Sequence, residues 1–149
     1  MNAESGYFNN CFISGGGCDF MQCREGITFK LKNYSGREII FIEFRLDFPE
    51  TIATGNEMSS SIYVGQRPGS VAKKDPIRLK PDEELIVILD EREYTNIKKF
   101  VELRVPMSKI TQVTAYPAFI IFSDGFAWNG GDYLRQDPNN PNNFINIDN

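Results

Sequence analysis

From Ile27 to Lys32 the apolar residues Ile27, Phe29 and Leu31 alternate with Thr28, Lys30 and Lys32, the period of two that marks a half-buried strand. Asn33-Tyr34-Ser35-Gly36 supplies a turn. A long strand follows over 37–48: Ile40, Ile42, Phe44, Leu46 and Phe48 point one way, and Ile39, Phe41, Glu43, Arg45 and Asp47 the other. One face is wholly apolar while the second turns polar towards its end, as in a strand that crosses a sandwich core and emerges at an edge. The polar stretch 49–61 reads as a loop, 61–65 as a short strand and 66–74 as a basic Gly/Pro loop. Residues 77–89 read as strand, turn, strand, with Pro81-Asp82 at the centre of the turn.

The pattern changes period once. Over 91–103, Tyr94, Ile97, Phe100, Val101 and Leu103 fall near helical spacing with Lys98 and Lys99 outside, which predicts a single short helix capping one end of the sheets. A further strand over 113–122 carries Pro117, a residue confined to bulges and edges. Asp124-Gly125 then turns the chain, and 127–134 returns as a last strand. About seven strands with turns every ten residues or so predict an all-β fold, an immunoglobulin-like antiparallel β-sandwich with one short helix.

Composition narrows the function more than the fold. The 149 residues are enough for one ordinary domain, here 26–149, preceded by a Cys/Gly-rich arm over 1–25. The 12 Phe and 6 Tyr reinforce strand over helix. A net charge of −4 argues against a nucleic-acid partner. The chain has no histidine, which removes the commonest general base and metal ligand and excludes Ser-His-Asp and Cys-His nucleophile systems. No apolar run is long enough to span a membrane, and the first ten residues lack the basic and apolar regions of a signal peptide.

All three cysteines, Cys11, Cys18 and Cys23, lie in the arm, around Ser14-Gly15-Gly16-Gly17. An odd, clustered set suits one local disulfide plus a thiol free to pair with another chain, hence an extracytoplasmic location. Three unpaired thiols in a cytoplasmic protein are the alternative. A metal site on all three lacks a fourth ligand nearby.

Three motifs carry a resemblance. The block Ile27-Thr28-Phe29-Lys30-Leu31-Lys32-Asn33-Tyr34-Ser35-Gly36-Arg37-Glu38-Ile39 resembles the opening strands of bacterial immunoglobulin-like domains, and Leu79-Lys80-Pro81-Asp82-Glu83 resembles their L-x-P-G-E turn, with Asp82 in place of glycine. The close, from Phe122-Ser123-Asp124-Gly125-Phe126-Ala127-Trp128 to Arg135-Gln136-Asp137-Pro138, resembles uncharacterised bacterial β-sandwich proteins ending in F-x-D-G-x-x-W-x-x-G and R-x-D-P-x-x-P. Their pattern has threonine where this chain has Phe126. The resemblance covers 26–144 and implies the fold; it brings no activity with it.

Candidate chemistry is thin. Asp124, Asp132 and Asp137 lack the tight alternate spacing of a calcium loop and suit turns. Glu83-Glu84 and Asp90-Glu91 are carboxylate pairs beside turns and strand ends, without a glycosidase signature. Phe126, Trp128 and Tyr133 suit a plug for the open end of a sandwich, or a stacking platform for a sugar together with Tyr63. Phe144, Ile145 and Ile147 near the terminus suit a short strand on a sheet edge, in this molecule or a neighbour. The expectation is a non-enzymatic binding or assembly module without cofactor or metal. Its protein partner or second copy would meet the arm, Trp128, Tyr133, Phe144, Ile145 and Ile147; a carbohydrate-binding module is the alternative.

Overall fold

A computed structural model describes residues 12–13 and 27–147. The strands are β1 (Phe12–Ile13), β2 (Ile27–Lys32), β3 (Ile39–Phe48), β4 (Met58–Gly65), β5 (Glu84–Ile88), β6 (Thr114–Phe122), β7 (Phe126–Asn129), β8 (Asp132–Gln136) and β9 (Phe144–Asn146). The helix α1 (Glu91–Val101) lies between β5 and β6. Two antiparallel sheets form, a small one ordered β1-β2-β5 and a large one ordered β4-β3-β6-β7-β8-β9. The expected all-β sandwich with one short helix is what the alternation builds.

The apolar face of β2 (Ile27, Phe29, Leu31) and that of β3 (Ile42, Phe44, Leu46, Phe48) are buried in one cluster, with Phe29 and Phe44 edge to face at 4.8 Å. Each such side chain, fully buried, contributes roughly 1.5–3 kcal/mol relative to exposure. The helix adds Ile97 and Val101 to the same core. Asp90 starts it with a capping box: its carboxylate accepts from the Glu93 amide at 2.7 Å, and the Glu93 carboxylate accepts from the Asp90 amide at 3.2 Å.

Four details depart from the periodic reading. In β3, Ile39 pairs with Phe122 and Phe41 with Ile121, so Ile40 is an extra residue that flips the alternation. Ile39 therefore joins the main core, while Ile40 packs against the outer cluster. Leu79 does not open a hairpin with β5. It bridges Ile39 of the large sheet, while β5 pairs with β2. Helix α1 buries Ile97 and Val101, while Phe100 lies beside that stripe and is exposed; Leu103, in the turns that follow Val101, is also on the surface. The run 127–134 is two strands rather than one, reversed at Gly130-Gly131, both at positive φ (59° and 122°). Such a two-residue turn suits a right-twisted hairpin, and only glycine takes both conformations without strain.

Pro117 lies at a bulge in an interior strand: the β3–β6 register slips between Glu43 and Phe44, where Phe44 faces Pro117. The chain's tail pairs in cis, β9 lying against β8 with Arg135 opposite Ile145. Cys11, Cys18 and Cys23, and with them the expected disulfide, fall outside the described residues.

Candidate functional site

The large sheet has a second apolar face, turned away from the sandwich core. Phe41 of β3, Ile121 of β6 and Ala127 of β7 are buried there, with Phe119, Leu134 and Phe144 packed against them. Ala127 is small enough for Phe119 and Phe144 to meet edge to face, at 5.9 Å. At the β4 edge Tyr63 lies nearly parallel to Phe41, 6.2 Å between ring centres and 21° between planes, and is 44% exposed.

The loop after β4 folds back over this floor. Gln66 staples it: its side chain donates to the carbonyls of Arg67 (3.1 Å) and Ala72 (3.0 Å) and accepts from the Lys74 amide (2.8 Å). Gly69, at φ 77°, comes close to the Asn142 side chain, so the loop lies beside the C-terminal turn. The Arg67 guanidinium consequently stands 5.1 Å from the Phe119 ring centre and 6.0 Å from that of Phe41. Lys74 stands 5.8 Å from the Tyr63 ring centre, donates to the Tyr63 carbonyl at 3.1 Å and pairs with Glu93 at 3.6 Å. Among the described residues no carboxylate lies within ion-pairing distance of Arg67. Loop and sheet flank a half-open cleft of about 260 Å³ whose walls include Phe41, Tyr63, Arg67, Ser70 and Lys74.

Farther along the same face the sheet becomes polar. Ser59 donates to Asp47 at 2.5 Å. Burial first, then the hydrogen bond to Asp47 and its charge, push the Tyr116 hydroxyl above the ordinary phenol range, with Arg45 opposing. Aromatic floor and polar ladder thus divide one sheet surface between them.

The structure distributes the sequence candidates differently. Trp128 and Tyr133 face each other across β7 and β8, half-buried against the main core. Among the described residues the exposed aromatics are instead Tyr34, Tyr63 and Phe100. Phe144 docks on Phe119, Ile145 is half-buried, and Ile147 beyond β9 is 43% exposed. Asp124 and Asp137 accept from the amides of Phe126 (3.2 Å) and Asn139 (2.8 Å), as turn residues do, and Asp124 also pairs with Arg37 at 3.4 Å. No cluster of three metal-ligating side chains occurs among the described residues. The carboxylate pairs are engaged in structure: Glu83 accepts from the Lys80 amide, Glu84 pairs with Lys30, and Asp90 caps the helix.

Sequence reasoning missed Phe41, Phe119, Arg67 and Lys74 as one group. Its signal was present: apolar Phe41 on the otherwise polar face of β3, and a basic Gly/Pro loop directly after β4. Comparison of the chain with family models, curated proteins and solved structures finds no match. No helix among the described residues is long and apolar enough to cross a membrane.

Proposed function

We propose that this chain is a non-enzymatic binding module whose principal site is the cleft between the 66–74 loop and the outer face of β3 and β4. One observation carries it: an arginine with no carboxylate partner among the described residues is held over an aromatic floor by a loop braced at Gln66. A surface loop with no binding role has little need of such bracing, whereas preorganisation strengthens binding by removing the ordering cost of the contact residues. Enclosure on an aromatic surface with a few convergent polar groups is the usual form of a small-ligand site. The test is a fragment screen followed by amide chemical shifts. Shifts concentrated on 41, 63, 67 and 74 support the assignment, and shifts scattered over the surface would overturn it.

A second surface suits the assembly role. β5 is the edge of the small sheet, and Ile86 and Ile88 stand outward from it at 62% and 61% exposure. An edge strand with an apolar outer face is suited to pairing with a strand of another chain. Light scattering of the full chain and of the double variant Ile86→Lys/Ile88→Lys tests this. A larger species lost in the variant supports assembly through β5; equal masses would remove it. An extracytoplasmic setting belongs with the same proposal and is tested by alkylating the thiols of the native protein: a locked pair among Cys11, Cys18 and Cys23 supports it, three free thiols oppose it.

A further inference from the structure

Resting on the binding role just proposed, we propose that the cleft takes a six-membered sugar ring bearing a single carboxylate, a uronate residue, with its C–H face on Tyr63 and its carboxylate on Arg67. Size, charge and rim chemistry each narrow the ligand. About 260 Å³ is below the range for drug-sized ligands, so one ring with its substituents fills the cleft.

The floor selects a flat apolar surface. Tyr63 lies nearly parallel to Phe41, with the Lys74 ammonium 5.8 Å from its ring centre, and the residue remains 44% exposed. A pyranose presents such a surface on one side and hydroxyls around its edge. The rim meets those hydroxyls with the Ser70 hydroxyl and the Tyr63 phenol, both among the residues of the cleft. A purely aromatic acid would leave these groups unmatched.

Charge selects the acid. Lys74 is paired with Glu93 at 3.6 Å, leaving Arg67 as the cleft cation without a carboxylate partner among the described residues. One fixed positive charge matches a monoanionic carboxylate, which a guanidinium can engage through two parallel hydrogen bonds, better than a phosphate dianion. Cation and floor share the cleft: Arg67 and Tyr63 both line it, and each stands against Phe41. A ring seated in the cleft beside Tyr63 therefore has the guanidinium as a neighbour.

The experiment titrates the ¹⁵N-labelled full chain with oligogalacturonate and oligoglucuronate, with their methyl esters, with benzoate and with an Asp/Glu-rich peptide. The expected result is saturable shifts at 63, 67 and 74 with the uronates, weakened at least about tenfold by esterification. Arg67→Gln should remove the preference for acid over ester, and Tyr63→Ala should weaken both. Because both side chains are exposed, an unchanged melting temperature serves as the folding control. Equal binding of acid and ester would overturn the carboxylate assignment, and stronger binding of benzoate or peptide would overturn the sugar. Fragments that bind the cleft while uronates do not would sink this inference alone. Silence of the cleft towards every probe would sink the binding role with it.

Discussion

Asn33 is 2% exposed yet fully engaged. Its amide donates to the carbonyls of Arg37 (2.6 Å) and Leu79 (2.9 Å), and its oxygen accepts from the Ser35 amide (3.0 Å) and hydroxyl (2.6 Å). Asn33→Ala would strand buried polar groups on both sides, so a loss of about 2–4 kcal/mol is expected in urea unfolding. A loss under about 1 kcal/mol would mean that water replaces the amide. Glu50 provides a pH-dependent counterpart. Burial alone would raise its carboxyl, but hydrogen bonds from the Thr111 hydroxyl and amide and from the Gln112 amide outweigh this and hold it below its ordinary value of 4.5. Because the folded value is depressed, the stabilisation is complete above the unfolded value and is lost as pH falls through the folded one. The melting-temperature gap between the native protein and Glu50→Gln should thus be widest near neutral pH and close towards pH 3. A gap that widens in acid would reverse the assignment.

At the scale of elements, the β7–β8 hairpin leaves room for improvement. Gly130 sits at φ 59° with open space around a notional Cβ. Asparagine tolerates that conformation and restricts the unfolded chain, so Gly130→Asn should stabilise by about 0.5 kcal/mol. Ala127 behaves oppositely. It is fully buried between Phe119 and Phe144, and Ala127→Leu should cost about 1–3 kcal/mol and free β9 for proteolysis after 136. Limited digestion of the two variants side by side checks both. The elements were legible where one period ran unbroken: β2, the polar end of β3, and α1, whose Asp90 cap reads in the sequence only as half of a carboxylate pair. They were illegible where a single residue changed the count. Ile40 inverts the facing of Ile39, and two glycines divide what reads as one strand, because a one-residue slip exchanges the faces of a strand. Asp82 falls between. The turn at Pro81-Asp82 was readable, and its φ of 66° explains why glycine would suit that position.

For the whole molecule, the fold follows from apolar alternation, but the site does not. The cleft joins Phe41 and Arg67, and Arg67 stands also over Phe119 beside it; the three are far apart in sequence and meet because β3 and β6 are neighbours in the large sheet and the 66–74 loop folds back over them. Trp128 and Tyr133 stand out in the sequence as aromatics near a hairpin, yet both are half-buried against the main core, while Tyr63 is exposed beside Phe41 of the outer cluster. Arginine substitutions separate the two roles. Arg67→Gln should leave stability within about 0.5 kcal/mol, as exposed cations over rings contribute little. Arg37, which pairs with Asp124 and lies 4.7 Å from the Phe126 ring centre, should show a larger loss when changed to Gln. Thermal melts of both proteins decide it.

The stretch from Leu79 to Glu83 stitches the two sheets together. Leu79 exchanges both backbone hydrogen bonds with Ile39 of the large sheet, each at 2.9 Å, and four residues later Glu83 accepts from the Asn33 amide at the end of the small one. Among the described residues no other stretch joins the sheets by backbone hydrogen bonds, and side-chain contacts can part a little without breaking one. The sandwich is therefore expected to open as a hinged book does, from the far edge towards this spine. In native-state hydrogen exchange the Ile39 and Leu79 amides should be among the last to acquire deuterium, trading only when the entire chain unfolds.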